Sequence, residues 1–197
     1  MQYGEWMAPG LRERKRRAAM RHIQHVALDL FDAHGFQQVS VEQIADAAEV
    51  SPSSVYRYFG TKEGIVLADD FDSLSEAELT TIIDPHDLVG TVRTVVARFE
   101  PSPDQHDPEA NLALRRIRYF FDEPSVRKAS YETLANAVER ITPILTASGG
   151  FTDSEARVMS SALVFGYFSA VEQWYRNPAD RSIADVLDEA LRTLRRL

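Results

Sequence analysis

Cysteine is absent from this 197-residue chain, which rules out disulfides and zinc–thiolate sites and suits a reducing, cytoplasmic setting. No apolar run is long enough to cross a bilayer and no secretory signal stands at the amino end, so no membrane partner is expected. The Gly-x-Ser-x-Gly elbow, the phosphate-binding P-loop and the dinucleotide glycine pattern are all missing. Acidic side chains are scattered over helix faces without the paired setting that general acid–base work needs. His22 and His25 stand three apart, but no acidic or thiol set accompanies them, so they read as ordinary residues of a helix and no metal site is expected. Neither an enzyme nor a cofactor is expected. Period-two alternation is never sustained, so no sheet is expected, and no internal repeat or low-complexity segment occurs.

What is present is helical periodicity and an uneven charge. Hydrophobic residues make up 44% of the chain, enough for a proper core. The net charge is −8, yet residues 1–64 hold eight Lys/Arg and eight Asp/Glu, so residues 65–197, with 14 basic and 22 acidic, carry all of it. In the neutral part, Arg12, Arg14, Lys15, Arg16, Arg17 and Arg21 crowd toward the amino end. Phosphate attraction acts over a Debye length, about 8–10 Å, so a distant acidic body does not prevent such a segment from meeting a polyanion. Taken alone, the basic run reads equally well as a solvated helix start. Breaker signals at Asp84-Pro85, Pro101–Pro108, Glu123-Pro124, Gly149-Gly150 and Asn177-Pro178 bound helices over about 62–82, 87–100, 108–122, 125–147, 153–176 and 183–196. The expected fold is all-α with about nine helices: an unstructured tail at 1–10, a three-helix head at 11–64 and a six-helix body at 65–197.

The densest signal is Ser51–Gly64, SPSSVYRYFGTKEG. Ser51 is a good N-cap and Pro52 suits the first helical position, where its missing N–H is not needed. Val55 and Phe59 supply one apolar stripe. The other face carries Ser53, Ser54, Tyr56, Arg57 and Tyr58, the kind of surface a recognition helix offers to a major groove. Upstream, Ser40-Val41-Glu42-Gln43 has the form of a capping box, with Val41, Ile44, Ala45 and Ala48 on one side of the helix it starts. Only Glu49 and Val50 are left for the turn. Before that, Leu11–His34 is spaced as a helix that ends at Gly35-Phe36. After it, Gly60 ends the recognition helix, Thr61 caps the next, and Lys62 falls in that helix's first turn.

These residues resemble the DNA-binding domain of the TetR family of bacterial transcriptional regulators. The matching stretch is LDLFDAHGFQQVSVEQIADAAEVSPSSVYRYFGTKEGIVLADD, about a quarter of the chain. Two positions depart from the family pattern. Glu49 stands where the turn usually has glycine, and Tyr58 stands where many members have histidine. The resemblance implies double-stranded DNA as a partner, bound at a palindromic operator. Arg57 is the candidate for a base contact, Ser53 and Ser54 share its face, and Tyr56, Tyr58, Lys62 and the caps Ser40 and Thr61 are candidates for phosphates. Next to this motif, Arg14, Lys15, Arg16 and Arg17 are assigned to the DNA interface as well.

The same resemblance implies a homodimer through the last two helices. Ala162, Gly166 and Ala170 form a small-residue stripe flanked by Trp174, and Val186 and Ala190 lie on the final helix, so these six are the candidate interface. It also implies a small hydrophobic effector bound in the body, for which Tyr119, Phe120, Tyr131, Phe165 and Phe168 are candidates. Without the resemblance, aromatic residues at helical spacing read as core. RRIRYFFDEPSVR and VEQWYRNP resemble actinobacterial members that answer to fatty acyl thioesters. The function implied is a repressor released by its effector. The alternative left open is an activator or a ligand-independent DNA-binding protein of the same fold.

Overall fold

The computed structural model describes residues 11–69, 71, 74–96, 108–177 and 182–194, so the expected tail at 1–10 lies outside the described residues. The chain divides into two compact units, Met1–Val66 and Leu67–Leu197. All regular structure among the described residues is helical, with ten α-helices.

The first unit contains α1 (Leu11–His34), a 3-10 turn (Phe36–Gln38), α2 (Val41–Ala47), α3 (Pro52–Phe59) and the start of α4 (Lys62–Leu67). Its core is Ile23, Ala27, Leu28 and Phe31 of α1 against Ile44, Ala45, Val55, Ile65 and Val66, all buried. Local chemistry sets each boundary. At the end of α1 the N–H of Gly35, at φ 85°, donates to the Phe31 carbonyl at 2.8 Å, and Phe36 folds back onto Phe31 with ring centroids 4.8 Å apart. Ser40 and Gln43 form the reciprocal capping box: the Gln43 N–H donates to Ser40 Oγ (3.2 Å) and the Ser40 N–H to Gln43 Oε1 (2.8 Å). Gln24, buried between helices, is satisfied by donating to the Ile65 carbonyl at 2.9 Å.

The turn between α2 and α3 is where the missing glycine matters. Glu49 has φ 55°, the left-handed region, and is the sole non-glycine residue described there. The Val50 N–H donates to the Ala45 carbonyl (2.9 Å) and the Glu49 N–H to that of Asp46 (3.1 Å). That pair of bonds is a Schellman cap with glutamate in the glycine position. At the far end of α3, Gly60 at φ 72° lets the chain reverse, and the Gly64 N–H donates to Thr61 Oγ1 at 2.9 Å, capping α4.

The second unit holds α5 (Glu76–Ile82), α6 (Leu88–Val96), α7 (Pro108–Asp122), α8 (Pro124–Ala147), α9 (Asp153–Arg176) and α10 (Ile183–Leu194). The continuous helix expected over 62–82 is instead α4 and α5. Ser75 and Glu78 form a second capping box that starts α5 afresh. Between the two helices, side chains take the backbone carbonyls that helical bonding would have used: Arg116 donates to Leu67 O at 2.9 Å, and Arg140 to Phe71 O (3.2 Å) and Leu74 O. The expected α6 continues to 100, and residues 97–100 lie outside the described ones, as do 195–196. The α9–α10 core is Phe121, Phe168, Ala170, Val171, Ile183 and Leu187.

The stripe on α9 has an occupant within the subunit. A Cβ at Gly166 would lie 3.9 Å from Leu191 Cδ2, so Gly166 faces α10 of the same chain. Ala170 is buried, and Trp174, Val186 and Ala190 pack against the same cluster. Ala162 is half-buried. The outward strip of α9 is a neighbouring one, running through Val158, 69% exposed, Phe165 and Ser169.

Candidate functional site

The α3 pattern puts Val55 and Phe59 inward, and the opposite residues become the surface. Ser53, Tyr56 and Arg57 are exposed, while Ser54 and Tyr58 are half-buried. Arg57 is held in place: its Nη2 donates to Ser54 Oγ at 3.1 Å, and its guanidinium lies 5.0 Å from the Tyr58 ring centroid. Ser54 Oγ is in turn 2.9 Å from Ser51 Oγ, which caps the helix by accepting from the Ser54 N–H. The cap that begins the helix is thus coupled to the orientation of its exposed cation.

The basic run is the first turns of α1. Arg14 and Lys15 are exposed and Arg16 and Arg17 half-buried. An open groove of about 1140 Å³ is lined by Leu11, Arg12, Glu13, Lys15 and Arg16 of α1 and by Arg57 and Tyr58 of α3. Four cations, Arg12, Lys15 and Arg16 of α1 and Arg57 more than forty positions later, are thereby brought to one concave surface with Glu13 as its one anion, an arrangement that concentrates potential toward a polyanion.

Lys62 has a different place from the one its position in the motif suggests. Its ammonium donates to the carbonyls of Phe36 (2.9 Å) and Val39 (3.0 Å) and lies 4.4 Å from the Phe36 ring centroid. It ties the α1–α2 connection to the start of α4. Ser40 and Thr61 both act as caps, with Ser40 half-buried and Thr61 exposed.

In the second unit an apolar cavity of about 170 Å³ is lined by Asp69, Phe71, Ile83, Leu88, Thr91, Val92, Thr133, Leu134, Ala137, Ile141, Leu163, Val164 and Tyr167. None of Tyr119, Phe120, Tyr131, Phe165 and Phe168 belongs to that lining. Tyr119 and Phe168 are buried, and Phe120 packs against the α9–α10 core. Tyr131, 47% exposed, has its ring 6.4 Å from Phe165 and 6.1 Å from Phe168. The lining combines the chain after α4 and the residue that ends α5, Ile83, with α6, α8 and α9, so no single periodic segment could have announced it. Its polar end holds Tyr167, whose phenol is pushed up to about 12 by burial and by the negative charge of Asp69, with Arg116 opposing. Arg116 is itself buried and lies 5.6 Å from the Phe120 ring centroid. Two further arginines of α7 and α8 are engaged elsewhere: Arg118 donates to the Tyr119 hydroxyl (2.8 Å) and Arg127 to Glu172 (2.9 Å). Among the described residues, no cluster of His, Asp or Glu is placed to hold a metal, and no helix is long and apolar enough to cross a membrane.

Residues 23–68 match the model for bacterial regulatory proteins of the tetR family, and residues 86–197, more than half of the chain, match that of the MftR C-terminal domain. The chain belongs to the TetR family. It is a helix-turn-helix transcriptional regulator with an MftR-type body. A Mycobacterium tuberculosis protein named MftR, as a regulator of mycofactocin biosynthesis, is 29% identical over 184 residues, covering 90% of this chain and 88% of that one. Thermus thermophilus FadR, a TetR-family repressor solved with lauroyl-CoA, is 25% identical with a TM-score of 0.52, covering 89% and 92%. The SmeT–triclosan complex shares the fold, with a TM-score of 0.57 at 14% identity over 89% and 91%. The family is one of transcriptional regulators, whose members bind DNA as dimers and respond to small molecules.

Proposed function

We propose that this TetR-family chain is a repressor that grips a palindromic operator through the α1–α3 groove and releases it when a compact apolar effector enters the second unit. The observation that carries the DNA reading is the groove itself, in which Arg57 and Tyr58 of α3 share a concave wall with Arg12, Lys15 and Arg16 of α1. Arg57, oriented by Ser54 and Tyr58, is the base-reading residue, a bidentate contact to guanine being worth about 1–3 kcal/mol. Tyr56, Tyr58, Ser53, Thr61 and Ser40 serve phosphates, together with Arg14 and Lys15. Lys62 supports this surface from behind through its two carbonyl bonds. Two heads must face successive major grooves about 34–36 Å apart, so the protein acts as a homodimer. Its interface uses the outward strip of α9, Val158, Ala162, Phe165 and Ser169, because Gly166, Ala170, Trp174, Val186 and Ala190 are engaged inside the subunit.

The effector reading rests on the 170 Å³ cavity. That is below the usual range of about 300–1,000 Å³ for ligand pockets and close to the roughly 150 Å³ that accommodates benzene. A single-ring or short-chain molecule fits, and a fatty acyl thioester would place only one end of its chain there unless the walls move. An effector coupled to DNA by 1–3 kcal/mol changes operator affinity about 5–150-fold, and operator weakens effector binding by the same factor.

The test is protection of a palindrome in the DNA beside the gene by the purified protein, repeated with Arg57→Ala and with titrated ring compounds and acyl thioesters. Loss of discrimination in Arg57→Ala and release by a cavity-sized compound are expected. Equal protection by Arg57→Ala defeats the base-reading assignment. A palindrome that stays occupied at every ligand concentration leaves the ligand-independent alternative.

A further inference from the structure

The positive wall of the α1–α3 groove contains one anion. Arg12, Arg14, Lys15, Arg16 and Arg17 follow one another along α1 with only Glu13 between them. Glu13 Oε1 accepts from Arg16 Nη1 at 3.4 Å and from Arg17 Nε at 3.2 Å, and Glu13 lines the groove beside Arg12, Lys15, Arg16 and Arg57. Partly exposed ion pairs within one helix, as these are, contribute little to folding, about 0–1 kcal/mol. Their effect on a polyanion is larger in kind. A carboxylate on the same wall repels every nearby phosphate, and it occupies two guanidiniums that would otherwise be free to meet phosphate and release counterions.

We infer that Glu13 is a built-in brake on DNA affinity: it competes with backbone phosphate for Arg16 and Arg17 and lowers binding to every duplex by the same factor. The inference rests on the groove being the DNA interface. Because phosphate contacts carry no sequence information, the brake leaves discrimination by Arg57 untouched while keeping the chain from being held on non-operator DNA. Glu13→Gln keeps the shape of the side chain and removes its charge, so that one or both arginines turn to phosphate. Each phosphate gained steepens the slope of log affinity against log salt by about 0.9. The fall in affinity between 50 and 200 mM salt therefore grows by about 3.5-fold for one phosphate and about 12-fold for two.

The experiment measures affinity of the full chain for an operator duplex and a scrambled duplex of equal length across that salt range. The variants are Glu13→Gln, Glu13→Ala and, as a charge-matched control on the exposed face of α1 outside the groove, Asp32→Asn. Helicity by circular dichroism is followed in parallel, because Glu13 also favours the first turn of α1 through the helix dipole. Both Glu13 variants are expected to bind the two duplexes more tightly by one common factor and with a steeper slope, and Asp32→Asn to match the wild type. An unchanged or shallower slope, weaker binding, a gain confined to one duplex, or an equal gain in Asp32→Asn overturns the inference. If the wild-type chain shows no salt-dependent binding to any duplex, the interface reading fails first and the inference falls with it.

Discussion

Replacing Glu49 by glycine tests the physical reading of the turn between α2 and α3. A non-glycine residue in the left-handed region costs about 1–2 kcal/mol, because Cβ approaches the following carbonyl oxygen. Glu49 at φ 55° bears that cost, and the Schellman bonds from Glu49 and Val50 hold it there. Glycine removes the strain but loses more chain entropy on folding, about 0.5–1 kcal/mol. The difference leaves a net stabilisation of about 0.5–1 kcal/mol. Glu49→Ala keeps the Cβ and therefore the strain, so its stability should stay within about 0.5 kcal/mol of the wild type. Because the two units need not unfold together, the suitable assay is amide hydrogen exchange in α2 and α3, read at Ala48, Val50 and Val55. Glycine should slow opening about 2–5-fold at these amides, given 1.4 kcal/mol per factor of ten, and leave those of α9 unchanged. Operator affinity should not move, since the backbone path is the same. If alanine stabilises as much as glycine, the benefit comes from losing the carboxylate and the strain argument is refuted.

Lys62→Met removes two hydrogen bonds from a charged donor to the carbonyls of Phe36 and Val39, and should destabilise the first unit by about 1.5–3 kcal/mol. Urea unfolding followed by circular dichroism checks this, and an unchanged midpoint would return Lys62 to a phosphate role. Gly166→Trp should overpack the α9–α10 contact by about 1–3 kcal/mol and lower the melting temperature of the subunit itself. Ser169→Trp, on the exposed strip, should leave that stability alone and change association in sedimentation; the reverse pattern would place the dimer contact on the inner stripe. The Tyr167 phenol, raised from 10 to about 12, favours the folded chain while protonated, so its contribution is complete below pH 10 and is lost as pH climbs toward 12. Tyr167→Phe should remove that part of the alkaline destabilisation, and unfolding curves for the two proteins that stay parallel from pH 9 to 12 would contradict it.

What the sequence determined by itself is local. Ser40 with Gln43 and Ser51 with Pro52 start helices because a cap needs only its own turn of chain, and both are seen in the structure. The same logic gave away the outward face of α3, since Val55 and Phe59 leave the surface no other composition. The fresh start of α5 was legible in Ser75 and Glu78, but the helical periodicity on both sides masked it, and its other cause, the carbonyls of Leu67, Phe71 and Leu74 claimed by Arg116 and Arg140, is not local. Tertiary structure alone decided which distant groups meet. It turned Lys62 toward two carbonyls, set Gly166 against Leu191, brought Arg57 to the same groove as Arg12, Lys15 and Arg16, and assembled a cavity from five separate stretches of chain. A periodic pattern states that a face is apolar, and says nothing of whether a neighbouring helix, a second subunit or a ligand will cover it. That choice belongs to packing, where shape complementarity between segments far apart in the chain outweighs anything a single helix encodes.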